Sequence, residues 1–292
     1  MIRRFAFLLS LAAVVSAPLA AAGKIKALIV DGQNNHRWQV TTPVLKKLLE
    51  ETGLFTVAVS TSPAKGGDMS VFLPNFSAYR VVISNYNDFK GDPWHEKTLN
   101  ALLDYVRKGG GFVSYHAANN AFGFSKDFTE LVALGGWAGQ EKWGPHVYWK
   151  DGKLVRDDKP GRAGHHGPQH AYQIVTRDPK HPIMKGLPEK WMHSLDELYD
   201  TMHGPGNIDR MLGTAFSAPE QKGTGLDEPL LFTVKFGKGR VFHTMLGHDL
   251  PALECVGFIA TFQRGVEWAA SGKVTQKAPP DFPTATELKV RK

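Results

Sequence analysis

The chain has 292 residues, a formal net charge of +7 and one cysteine, Cys255. That length suits one large domain or two small ones, and a single cysteine excludes an internal disulfide framework. Lys and Arg are scattered rather than clustered, so the basic balance lacks a nucleic-acid footprint and suits a soluble protein.

Residues 1–22 read as a secretory signal peptide: basic Arg3 and Arg4, an apolar stretch from Phe5 to Val15, and small residues Ala20, Ala21 and Ala22 at the cleavage point. The apolar core is too short for a span needing ~20 residues, and Pro18 interrupts its end, so no stable membrane insertion is expected. The mature protein is expected in the periplasm or outside the cell, by Sec or twin-arginine export.

The mature chain opens with the apolar run Lys24 to Val30, ended by Asp31 and Gly32, which suits a buried parallel strand. Thr41, Thr42 and Pro43 carry the signals of a helix start, followed by Val44, Leu45, Leu48 and Leu49 at helical spacing. Strands are expected over 55–60 and 79–85. An amphipathic helix over 96–108 carries Leu99, Leu102, Leu103 and Val106 on one face and ends at Gly109. A further strand follows over 112–116. This alternation implies βαβ units, hence a mostly parallel sheet with helices on both faces, the flavodoxin-like α/β class.

From about Leu131 to Arg162 the pattern lapses into a Gly- and Trp-rich loop. Strand signals return over 171–175, 211–215, 230–236 and 240–246, before a closing helix over 255–270. No linker divides 23–276, so one domain is expected, and the Pro-containing stretch 277–292 reads as an extended tail.

Ligands of open α/β sheets bind outside the carboxyl ends of the strands, and polar residues collect at those expected ends. Asp31, Asn34 and His36 follow the first strand, Asn85 the third, and His116 and Asn119 the fourth. His248 follows the last. His166, His170, Glu197 and Tyr199 lie between them. A nucleophilic hydrolase would need a Ser or Cys at a strand-to-helix elbow, yet His116, Ala117 and Ala118 stand at the matching place. Acid–base chemistry at His116, Glu197 and His248 is the favoured reading. Imidazoles also bind divalent metals such as zinc, with His116, His166, His170 and His248 as the candidate ligands. Their spacing matches no tight metal motif, and a hydrogen-bonded rim without metal fits the same residues. Trp137, Trp143 and Trp149 offer flat indoles for stacking on sugar faces, with Trp143 grouped among the substrate contacts. The same indoles equally suit anchors of a loop.

Five blocks taken together resemble the trehalose-utilisation (ThuA-like) family: Gly109 to Ala118, His181 to Pro188, Asp196 to Tyr199, Gly237 to Asp249, and Arg264 to Ala270. The resemblance spans nearly the whole mature chain and implies the class I glutamine amidotransferase-like variant of the flavodoxin fold. Amidotransferases of that fold carry a cysteine at the elbow where this chain has His116, so glutamine hydrolysis is not expected. The family's association with disaccharide and 3-keto-glycoside metabolism implies a small carbohydrate as partner. An exported sugar-directed lyase, hydrolase or isomerase is therefore expected, with a non-catalytic carbohydrate-binding module as the alternative. The oligomeric state, homo-oligomer included, is left open.

Overall fold

The computed structural model describes residues 23–137 and 143–291; segment 1–22, read from the sequence as a signal peptide, lies outside the described residues. The first half of the chain alternates strands and helices: β1 (Ile25–Asp31), α1 (Trp38–Glu51), β2 (Phe55–Thr61), β3 (Val81–Ser84), α2 (Glu96–Arg107), β4 (Gly111–Tyr115) and α3 (Lys126–Val132). A run of strands follows: β5 (His146–Lys150), β6 (Lys153–Asp157), β7 (His165–His166), β8 (His170–Thr176), β9 (Lys190–Asp196), β10 (Tyr199–Asp200), β11 (Ile208–Phe216), β12 (Asp227–Phe236) and β13 (Gly239–Thr244). The short α4 (Leu250–Leu253) and the long α5 (Val256–Ser271) close the domain.

The main sheet runs β2-β1-β3-β4-β13-β12-β11-β8-β9. Its first five strands are parallel, the order of a flavodoxin-like sheet, and the remaining four extend it antiparallel. β1, β3 and β4 are buried almost throughout, as expected of parallel strands covered on both faces. Side-chain alternation separates the two layers. On β13, Phe242 meets α5 at Gly265, whereas the next residue, His243, bonds through Nδ1 to the Val132 carbonyl at the end of α3.

Two expectations need correction. Helix α1 starts at Trp38 rather than near Thr41, and Pro43 lies inside it. Only one backbone bond is forgone there, the one its N–H would have made to the fourth residue before it. The Thr41 and Thr42 hydroxyls cap nothing; both accept from the Asn85 amide at 3.0 Å. The long loop expected over 131–162 contains a hairpin, β5–β6, turning through Asp151 (φ +50°) and Gly152 (φ +77°). Two positive φ values suit a tight primed turn, which Asp-Gly favours.

Residues 273–291 form neither helix nor strand beyond a bridge between Val290 and Cys255. They stay on the body of the domain: Met192 N–H donates to the Thr284 carbonyl at 2.8 Å, and the Phe282 ring lies 5.3 Å from that of Trp191. Among the described residues, no helix is long and apolar enough to cross a membrane.

Candidate active site

The carboxyl ends of β1, β4 and β13 each deliver a histidine to one point. His36 lies in the loop after β1, where Asn34 Oδ1 accepts its backbone N–H at 2.9 Å and lies 3.2 Å from its Nδ1. Asn34 is itself held by Asn85 and Asn87. His116 follows β4 directly with φ +45°, a left-handed conformation costly for a residue with a β-carbon. His248 follows Gly247, whose φ is +109° and whose missing Cβ would lie 2.6 Å from the Tyr115 ring. Only glycine fits that turn.

Glu197 arrives from the antiparallel half, immediately after β9. Its Oε2 lies 3.7 Å from Nε2 of both His36 and His116, and its Oε1 lies 3.1 Å from His248 Nε2 and 3.5 Å from His166 Nε2. One donor atom from each of His36, His116, Glu197 and His248 lies within 4.8 Å of every other, the arrangement expected of groups able to hold a metal ion.

Hydrogen bonds fix the ring states. His116 Nδ1 sits 2.7 Å from the Met245 carbonyl, which can only accept, so the proton is on Nδ1. Its Nε2 lone pair then accepts from the Tyr199 hydroxyl at 2.7 Å. Burial, with Glu197 and Asp196 nearby, pushes the Tyr199 phenol well above its ordinary value, so it stays a donor. His166 Nδ1 likewise donates to the Gly167 carbonyl at 2.8 Å, and His36 Nδ1 to Asn34 Oδ1. His248 Nδ1 lies 2.8 Å from the Gln169 amide nitrogen, so in this orientation Nε2 carries the proton toward Glu197.

Burial lowers His36 to about 4, only partly offset by Glu197, and lowers His248 as well, with His116 adding to the effect. Both are neutral at pH 7. Burial alone would raise Glu197, but the flanking His116 and His36 imidazoles outweigh it and hold the carboxyl well below the usual range. The centre is thus an anion ringed by imidazoles.

The cluster opens into a cleft of about 390 Å³, whose walls include Trp137, Tyr199, Phe89, Asn120 and Arg37. That volume is within the range of small-molecule sites. Arg37 borders one side, its Nη2 donating to both carboxylate oxygens of Asp249, at 2.6 and 2.5 Å.

Several residues expected at the site lie elsewhere. Asp31 is buried, and its Oδ1 accepts from the Thr61 hydroxyl at 2.7 Å, so it ties β1 to β2. Asn34, Asn85 and Asn119 are not among the residues lining the cleft; Asn34 donates to Asn85, and Asn119 Oδ1 accepts from the Trp137 indole at 3.0 Å. Trp143 is no platform: its indole donates to the Gly123 carbonyl at 3.1 Å, and the ring is buried. Trp149 stacks under Arg177 away from the cleft. His170 stays outside the cluster because its Nδ1 bonds to the Pro168 carbonyl at 2.9 Å. His166 borders the cluster through Glu197, and His36, read from the sequence as a substrate contact, is one of its four donors.

Sequence reasoning missed the role of Asp196, whose buried carboxylate accepts backbone N–H groups from Glu197, Gly247 and His248. A carboxylate next to the candidate Glu197 was the available signal. Asn87, which donates to Asn34 and Asn35, gave none.

The ThuA family, described as trehalose utilisation, matches residues 26–269. The chain belongs to the ThuA family. A crystallised ThuA-like protein from Parabacteroides merdae is 53% identical over 92% of this chain and 98% of that one, with a TM-score of 0.89. A second ThuA-like protein, from Bacteroides uniformis, is 19% identical over 89% of this chain and 96% of that one, with a TM-score of 0.57, and shows the shared fold. No curated protein matches the chain.

Proposed function

We propose that this ThuA-family protein is an exported enzyme that acts on a carbohydrate, with 3-keto-glycosides as the favoured substrates. The observation that carries the reading is the convergence of Glu197 and three imidazoles from distant segments at the floor of one cleft. A structural polar network has no need of a cavity beside it. The family's link to trehalose utilisation supports a sugar as ligand, as does the Trp137 wall, whose ring stands edge-on to Tyr199 at 4.5 Å. The order of basic, apolar and small residues in 1–22 supports export.

A ketone at C3 acidifies the C2–H bond. Glu197, ionised and surrounded by imidazoles, accepts the C2 proton, and the electron pair moves into the C2–C3 bond as the ketone becomes an enolate. Collapse of the enolate expels the glycosidic oxygen from C1. The proton taken by Glu197 passes to that oxygen through His248, which is partly open to the cleft, lies 3.1 Å from Glu197 and gains one proton as it gives up another. The products are an enone sugar and a free alcohol, and addition of water at C1 completes a net hydrolysis. His116, held between the Met245 carbonyl and the Tyr199 hydroxyl, orients Glu197. This route needs no pair of carboxylates astride the glycosidic bond, the arrangement of ordinary glycosidases.

The test is incubation of the purified mature chain with glycosides and their 3-keto derivatives, followed by mass spectrometry. Release of the aglycone from the 3-keto derivative is the expected result. Saturable sugar binding without turnover would instead identify a carbohydrate-binding module.

A further inference from the structure

We propose that His36, His116, His248 and Glu197 together bind one divalent transition-metal ion, zinc being the best fit, with a fifth coordination position facing the cleft. The inference deepens the reading above by naming an electrophile in the same site.

The argument starts from lone pairs. The Nδ1–H of His36 is spent on Asn34 and that of His116 on the Met245 carbonyl. Both rings therefore present an Nε2 lone pair on the side of the Glu197 carboxylate, at 3.7 Å, that of His116 accepting from the Tyr199 hydroxyl. A cation between those nitrogens and the carboxylate would be attracted to both. Imidazoles whose far nitrogen donates to a carbonyl or amide oxygen are the usual form of metal-ligating histidine, because that bond fixes the tautomer and the ring plane.

The spacing agrees. Zinc bonds of about 2.0–2.1 Å to nitrogen or oxygen set tetrahedral donor atoms roughly 3.3 Å apart. Glu197 Oε2 lies 3.7 Å from Nε2 of both His36 and His116, Oε1 lies 3.1 Å from Nε2 of His248, and one donor atom from each of the four lies within 4.8 Å of the others, so the groups must draw together around the ion. His248 joins once the Gln169 side chain turns its amide oxygen toward Nδ1, which moves the proton there and frees Nε2. The ion also takes the His116 lone pair that now accepts from Tyr199, leaving that hydroxyl beside it.

Three nitrogens and one carboxylate oxygen are a borderline donor set that suits zinc and its neighbours over magnesium or calcium. His36, Glu197 and His248 all border the cleft, so a ligand oxygen can reach the ion from that side. With the ion bound to one carboxylate oxygen, Glu197 keeps the other for the C2 proton, and His166, whose Nε2 lies 3.5 Å from Oε1 and which also lines the cleft, takes over from His248 the relay of that proton to the departing oxygen.

The experiment is equilibrium dialysis of chelator-stripped protein against Zn²⁺, with the bound metal counted by elemental analysis. Co²⁺ replaces Zn²⁺ in parallel samples so that ligand-field absorption reports the coordination. Folding of every variant is checked by circular dichroism. The wild-type chain should take up one equivalent, and so should His170→Ala, which removes an imidazole outside the cluster. His116→Ala and His36→Ala should lose high-affinity binding. Asn34→Ala, which removes only the partner of His36, should weaken binding by about 10–100-fold. Folded wild-type protein that binds well under one equivalent, or binding that survives both His36→Ala and His116→Ala, overturns the proposal. Turnover is measured separately on the stripped and loaded protein. Metal-free turnover would overturn the metal while leaving the carbohydrate reading intact, and metal uptake without turnover would do the converse.

Discussion

The buried carboxylate of Asp196 accepts the backbone N–H of His248 at 3.0 Å, locking the loop after β13 to the end of β9. The same carboxylate accepts from Gly247 N–H and His193 Nε2, each at 2.7 Å, and from Glu197 N–H at 2.8 Å. One acidic side chain thus sets the separation of Glu197 and His248 from opposite halves of the sheet. Asp196→Ala leaves several buried donors unpaired, and losing one partner of a buried charged pair costs about 3–5 kcal/mol. Chemical denaturation should show a loss of that order, and a loss below about 1 kcal/mol would contradict the anchoring role.

The His193–Asp196 pair predicts a pH dependence of stability. Burial alone would lower His193, but the neighbouring Cys255 and the hydrogen bond to Asp196 outweigh it and raise the imidazole to about 9. A base whose pKa is raised on folding stabilises fully below its unfolded value near 6.5 and loses that contribution as pH rises through about 9. Stability should therefore fall between those values, and His193→Gln should remove that part of the slope. Equal slopes in the two proteins would show that His193 does not titrate there.

His248 and His243 separate rate from stability. His248→Ala removes the proposed proton donor from a partly open position, so turnover should fall by roughly 10²–10⁴ with the thermal midpoint near wild type. His243 is fully buried beside Phe232, bonded to the Val132 carbonyl, and lowered to about 4 by burial. His243→Ala opens a cavity and should cost more than about 2 kcal/mol, with kcat little changed in the folded fraction. Steady-state kinetics paired with thermal melts reads both, and full activity in His248→Ala would make that residue structural.

The tryptophans divide in the same way. Trp137→Ala should weaken sugar binding by about 1 kcal/mol, roughly fivefold in Kd, because one stacking face is lost. Trp143→Ala should instead lower the melting temperature, since its buried ring anchors the loop to Gly123. Calorimetric titration with sugar would contradict this division if the two variants bound equally well.

The parallel half of the sheet was legible because apolar runs such as Ala27 to Val30 have no other stable home. The histidine loops followed from it, since strand ends fall where those runs stop. The antiparallel half was less legible. Strand β9 (Lys190–Asp196) lacks β-branched residues and went unread, so Asp196 was not seen as a strand-end anchor. The β5–β6 hairpin carried its signal in Asp151 and Gly152, but a Gly- and Trp-rich stretch masked it. Thr41 and Thr42 mimicked a cap because a hydroxyl that serves a distant asparagine is the same residue type as one that caps a helix. Asp31, Trp143 and His170 share residue type and neighbourhood with true cleft residues, and only their partners, Thr61, Gly123 and Pro168, set them apart.

The central claim is that this cluster moves a proton at a carbohydrate carbon. It is tested most directly by nuclear magnetic resonance of a 3-keto-glycoside incubated with the protein in deuterium oxide. Loss of the C2 proton signal, together with release of the aglycone, is the predicted result for the wild-type chain, with both suppressed in Glu197→Gln. A C2 signal that persists undiminished while the sugar binds saturably would contradict the account.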